Sequence, residues 1–161
     1  MGSQQLLLIG GGILLLGLLS LLFYKSYGGK VEDQSYIEAL ITGVGVGRSM
    51  IDEIQTRAFD EATVTKPVSK TSQLTPPSSL GPDAGENSVF KFDDVDDFNN
   101  YSKADTMSIY GVYNTSVKVY YVNKMAPNTV SSTQTYTKRI DVNVTNKFLK
   151  DTLKFNYIIT Y

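Results

Sequence analysis

The sequence predicts an α+β protein, in which one long N-terminal hydrophobic α-helix packs its second half on a C-terminal antiparallel β-sheet. Three observations carry this. Residues 1–24 hold no charged side chain. Between residues 31 and 63 apolar side chains recur at helical threes and fours, and from residue 89 onward they recur at twos. The 161 residues therefore divide into four stretches. Residues 1–24 are a hydrophobic membrane or filament-core helix and 25–63 its amphipathic continuation. Residues 64–88 are a Pro/Ser/Thr-rich loop and 89–161 an antiparallel β-domain.

The first stretch is the most decisive. Residues 6–23 include thirteen Leu, Ile or Phe side chains. A helix of that length, rising about 1.5 Å per residue, spans roughly 27 Å, close to the hydrocarbon thickness of a bilayer. Insertion gains on the order of 4–8 kcal/mol, and no Lys, Arg or Asp opposes it. Nothing basic precedes Leu6 and no small-residue cleavage site follows Phe23, so a removable secretory signal fits poorly. Met1-Gly2 is followed by Leu6 where an acylation signal wants Ser or Thr. Ser3 suits a helix N-cap. Gly10, Gly11, Gly12 and Gly17 contain no pair at four-residue spacing, so they predict places where the helix loosens rather than a pairwise packing motif. Lys25 and Lys30 favour a cytoplasmic C-terminal side by the positive-inside rule. That signal runs against an external β-domain.

In the continuation, Ile37, Leu40, Ile41, Val44, Ile51, Ile54 and Phe59 are the expected helix–sheet packing residues. Acidic Glu32, Asp33 and Glu38 come early and basic Arg48 and Arg57 late, the order a helix dipole favours. Gly43 and Gly47, four apart, open one helix face to close contact; a helix break at Gly45 is the alternative. No Gly-Lys-Ser/Thr follows these glycines, so a phosphate loop is not supported. Pro67, Pro76, Pro77 and Pro82 among Ser and Thr predict an irregular loop across the surface. Strands are expected at 89–92, 107–113 and 116–123, the last with Val117, Val119 and Tyr121 on one face. Ala126-Pro127-Asn128 reads as a turn. A long strand follows at 130–145, where Ile140, Val142 and Val144 alternate with Asp141, Asn143 and Thr145. The final strand, 152–161, places Leu153, Phe155, Tyr157, Ile159 and Tyr161 on one face. A sheet with one apolar face needs a cover, and the helix is the candidate.

Chemistry is sparse. The chain has no Cys, His or Trp and a net charge of −1. Disulfides, His- or Cys-based nucleophiles and ordinary zinc sites are excluded, and no nucleic-acid binding is evident. An enzyme is not expected. Asp93, Asp94, Asp96 and Asp97 put four carboxylates in five residues, a conceivable calcium loop, although the spacing is not that of an EF-hand. The bland reading is a solvated turn between strands. Three sequons, at Asn100, Asn114 and Asn143, fit N-glycosylation by pattern. Tyr110, Tyr113, Tyr120, Tyr121, Tyr136, Tyr157 and Tyr161 pave a half-exposed sheet or a contact surface.

The apolar N-terminal helix, its amphipathic continuation and the β-domain, with the acidic segment from Phe92 to Tyr101, resemble type IV pilin-like subunits, including the pseudopilins of type II secretion. The resemblance implies a structural subunit of an extracellular helical filament on a bacterial or archaeal surface, serving adhesion or motility. It implies a homo-oligomer whose subunits wait in the cytoplasmic membrane, an assembly platform and an assembly ATPase as partners, and no cofactor unless calcium. The assembly residues it implies are Gln4, Gln5, Leu6, Leu7, Ile9, Ile13, Leu14, Leu16, Leu18, Leu21 and Phe23. Two departures stand out: Met1-Gly2 replaces a basic leader, and Gln5 (or Gln4) stands where the family carries Glu. The alternatives are a single-span, membrane-anchored surface binding module and a pseudopilin of a type II secretion system.

Overall fold

The computed structural model describes the backbone of residues 2–161 and their side chains except at 28–33. Helix α1 runs over Ser3–Ile54, and Met1–Glu38 and Ala39–Tyr161 form two compact units. In the first unit every described side chain up to Tyr27 is exposed, as expected of a helix made almost wholly of leucines with nothing packed on it. The second unit contains Ala39–Tyr161 and all the β-structure. There α1 is followed by the short helix α2 (Glu61–Val64) and strands β1 (Ser102–Met107), β2 (Gly111–Asn123), β3 (Ala126–Val130), β4 (Thr137–Thr145) and β5 (Leu153–Thr160).

All strand pairs are antiparallel, in the order β1-β2-β4-β5 with β3 added to the end of β2. Period-two alternation builds the inner face: Tyr113, Val117, Val119 and Tyr121 of β2 and Ile140, Val142 and Val144 of β4 are all buried. Leu153, Phe155, Tyr157 and Ile159 of β5 pack against the same core. On edge strand β1, Lys103 and Asp105 pair at 3.2 Å.

The covering helix uses a different face from the one hydrophobicity selects. Ile51 and Ile54 are buried and Leu40 is half-buried, but Ile37, Ile41 and Val44 are exposed. The face turned to the sheet is Ala39, Gly43, Val46, Gly47, Met50, Ile51 and Ile54. Small residues lie there because bulky sheet residues reach the helix backbone. A Cβ at Gly43 would stand 2.8 Å from Leu153 Cδ1, and one at Gly47 only 2.3 Å from Phe155 Cε2. The helix continues through Gly45, where packing elsewhere on the turn offsets the glycine cost. It ends at Ile54, earlier than residue 63, and Phe59 belongs to a separate cluster with Leu74 and Tyr121.

Four strand boundaries also shift. Residues 89–91 form a 3₁₀ turn, in which Val89 and Phe92, three apart, face the core while Phe90 is exposed. The expected strands at 107–113 and 116–123 resolve into β1 and one 13-residue β2, joined by a turn at 108–110. Ala126-Pro127-Asn128 lies in β3, and the turn is Lys124-Met125. The long strand at 130–145 is strand only from Thr137, because the polar run 131–136 turns the chain.

Candidate functional site

Two features have chemical content: an uncovered apolar helix and a buried lysine. The first is direct. Gln4, Gln5, Leu6, Leu7, Ile9, Ile13, Leu14, Leu16, Leu18, Leu21 and Phe23 are all exposed, and Ser3–Tyr27 is long and apolar enough to cross a membrane. Contiguous exposed apolar area beyond a few hundred Å² generally marks a lipid or protein contact, and a signal sequence passes the same test of length and composition. Gly10, Gly11, Gly12 and Gly17 have nothing within 4 Å of where a Cβ would sit.

The second feature lies on the inner face of the sheet. Alternation along β4 sends Ile140, Val142 and Val144 inward, and by the same parity it sends Lys138 inward, where it is fully buried. Its Nζ donates to Phe59 O at 2.8 Å, to Asp60 Oδ2 at 2.8 Å and to Asp96 Oδ1. The Phe59 and Tyr121 rings stand 4.6 and 5.0 Å from Nζ. Asp60 caps α2 by accepting from Ala62 N. It also accepts from the Thr75 backbone N–H and hydroxyl and, at 2.7 Å, from Tyr121 OH. Burial raises its carboxyl, but Lys138 and these donors outweigh burial and leave it below the ordinary carboxylate value. Asp96 is different. Its Oδ1 accepts from Lys138, while its buried Oδ2 has no hydrogen-bond partner among the described residues. Burial, opposed by Lys138, pushes it up to about 6.

No family model, curated protein or solved structure matches this chain.

The acidic turn does not assemble as a four-carboxylate loop. Asp94 Oδ1 accepts from the backbone N–H groups of Asp96 (2.6 Å) and Asp97 (3.2 Å). In return, Asp97 Oδ2 accepts from those of Asp93 (3.0 Å) and Asp94 (3.2 Å). Asp93 is exposed, and Asp96 turns to Lys138. Asp93, Asp94, Asp96 and Asp97 thus do not all converge on one point, and the burial of Asp94, Asp96 and Asp97 rules out a solvated turn. Asp93 and Asp97 instead bring one carboxylate oxygen each to within 4.8 Å of one from Glu86, a trio that could hold a metal ion. Burial and neighbouring carboxylates raise Asp94 to about 8. Burial, with Glu86 adding to it, raises Asp97 to about 7.

Sequence reasoning missed Lys138, Asp60 and the separate fates of the four aspartates. The signal for Lys138 was present: it continues the inward series 138, 140, 142, 144. A lysine in phase with three core residues has to be either paired or functional.

Proposed function

We propose that this protein is a structural subunit of an extracellular, helically assembled filament of type IV pilus-like kind. Its N-terminal helices form a water-free core and its β-domains the outer surface. The observation that carries the reading is the uncovered Ser3–Tyr27 helix, joined in one chain to a β-domain whose own core is complete. Leucines that suit acyl chains also suit copies of themselves, so the same helix holds the monomer in the membrane and then packs in the fibre. Exposed Ile41 and Val44 lengthen the apolar surface available to neighbouring subunits. Contacts of this head-to-tail kind do not close, and so they propagate.

The test is negative-stain electron microscopy of material sheared from cells expressing the full chain, alongside Leu15→Lys. Thin uniform fibres containing the protein are expected from the wild type. The lysine replaces a favourable insertion of about 0.3–0.6 kcal/mol by a cost of about 2.5–3.5 kcal/mol, so fibres should be lost. Fibres that persist in Leu15→Lys refute the apolar core. A wild-type chain that stays monomeric in the membrane is an anchored surface module instead.

A further inference from the structure

The Lys138 centre contains the parts of an amide-forming reaction, whether or not the chain polymerises. We propose that Lys138 and Asp96 join covalently in the folded protein, Lys138 Nζ bonding to Asp96 Cγ, with Asp60 as the proton-transferring group. The product is an intramolecular isopeptide bond tying β4 to the acidic turn.

Geometry distributes the roles. Lys138 Nζ touches both carboxylates, and its side chain has no solvent-exposed surface. Asp60 accepts from two backbone amides, two hydroxyls and Nζ, an environment that fixes it as a carboxylate and makes its carbon a poor electrophile. Asp96 has Lys138 at Oδ1, no geometric hydrogen bond at Oδ2 and only a minor contribution from the Thr75 hydroxyl, fewer donors than Asp60, so its neutral, electrophilic form is the less disfavoured of the two. The raised Asp96 carboxyl and lowered Asp60 carboxyl agree with that division.

The step balances without an oxidant or a co-reactant. Starting from an ammonium and a carboxylate, one Nζ proton passes along its hydrogen bond to Asp96, giving the neutral acid, and the freed lone pair attacks Asp96 Cγ while Asp60 Oδ2 takes a second proton from Nζ. A C–N bond forms and one Cγ–O bond breaks. The departing oxygen leaves with two of the three ammonium protons as water, the last returned by Asp60, and the third proton stays on the amide nitrogen. Holding amine and carboxyl in contact replaces a bimolecular encounter by an intramolecular one, which is worth many orders of magnitude in rate. The Phe59 and Tyr121 rings exclude the water that would reverse the reaction.

The experiment is intact-mass measurement and peptide mapping of the full chain in detergent, with the variants Lys138→Arg, Asp96→Asn and Asp60→Asn. The folded wild type should be one water lighter than its uncrosslinked sequence, with a branched peptide joining Lys138 to Asp96. Lys138→Arg should have full mass. Asp96→Asn should lose ammonia in place of water. Asp60→Asn should form the branched peptide at least tenfold more slowly, the scale of a lost general acid–base group. A folded wild type that keeps its full mass after prolonged incubation overturns the proposal, as does a water loss that survives in Lys138→Arg. Unslowed cross-linking in Asp60→Asn overturns the role given to Asp60.

Discussion

The two ends of helix α1 face opposite demands with the same backbone. Leu16 is 68% exposed, whereas Ile54 has no exposed surface. At the N-terminal end large leucines point outward in all directions and glycines touch nothing. Over Ala39–Ile54 the rule reverses: the glycines at 43 and 47 are in contact, and the large Ile41 and Val44 are free. What a helix buries is decided by the shape of its cover. A sheet that sends Leu153 and Phe155 upward selects small residues opposite them, while lipid or a bundle of like helices accepts any apolar surface.

The same contrast separates two kinds of polar burial, and removing Lys138 breaks it hardest. Lys138→Ala leaves the Asp60 and Asp96 carboxyls buried with neither an ion pair nor an amide to Lys138, and should destabilise the β-domain by about 3–5 kcal/mol in denaturant unfolding of the detergent-solubilised chain. Lys138→Met, which restores apolar volume, should lose less.

A smaller effect should follow pH. Asp94 and Asp97 are raised from the ordinary value of 3.8 to about 8 and about 7, in an enclosure shared with Asp96, Lys138 and Glu86. A carboxyl raised on folding binds more protons in the native state, so it favours the fold below the unfolded value. That contribution disappears as pH climbs through the folded value. Thermal stability should therefore fall between about pH 5 and pH 8. Asp60, lowered on folding, works in the opposite sense and only below its unfolded value. A midpoint that rises across that window would contradict the burial of Asp94 and Asp97. Asp94→Asn should flatten the profile.

The glycines give the finest test. Gly47→Ala puts a methyl into the Phe155 ring, and overpacking should cost about 1–3 kcal/mol, less the propensity that alanine restores. Gly45→Ala, with nothing within 4 Å, should raise stability by about 1 kcal/mol or less. Matched unfolding midpoints for the two variants would show that the helix does not sit on the sheet this closely.

Much of this was legible from the chain itself. Strict alternation located the inner faces of β2, β4 and β5, since a one-residue slip would have turned Val142 outward. The uncharged leucine run identified the first unit on composition alone. Gly43 and Gly47 marked the side of helix α1 that makes close contact, but the rest of its buried face was not legible, because counting apolar side chains favours Ile37, Ile41 and Val44, which are exposed. Nor was the partition of the aspartates. Four acids within five residues read alike until the fold gives one to a lysine and reserves two for backbone N–H groups.

Strand β1 closes one side of the sheet with charge. Its Lys103–Asp105 pair sits on the outermost strand, half-buried beside Thr42, Val46 and Ser49 of α1, and a foreign strand added on that flank would have to pack next to these charges. Growth by strand addition, the usual hazard of a β-rich domain held at high density, is thereby discouraged on that flank. Where many copies crowd together, the exposed leucines offer apolar contact and this border offers charge.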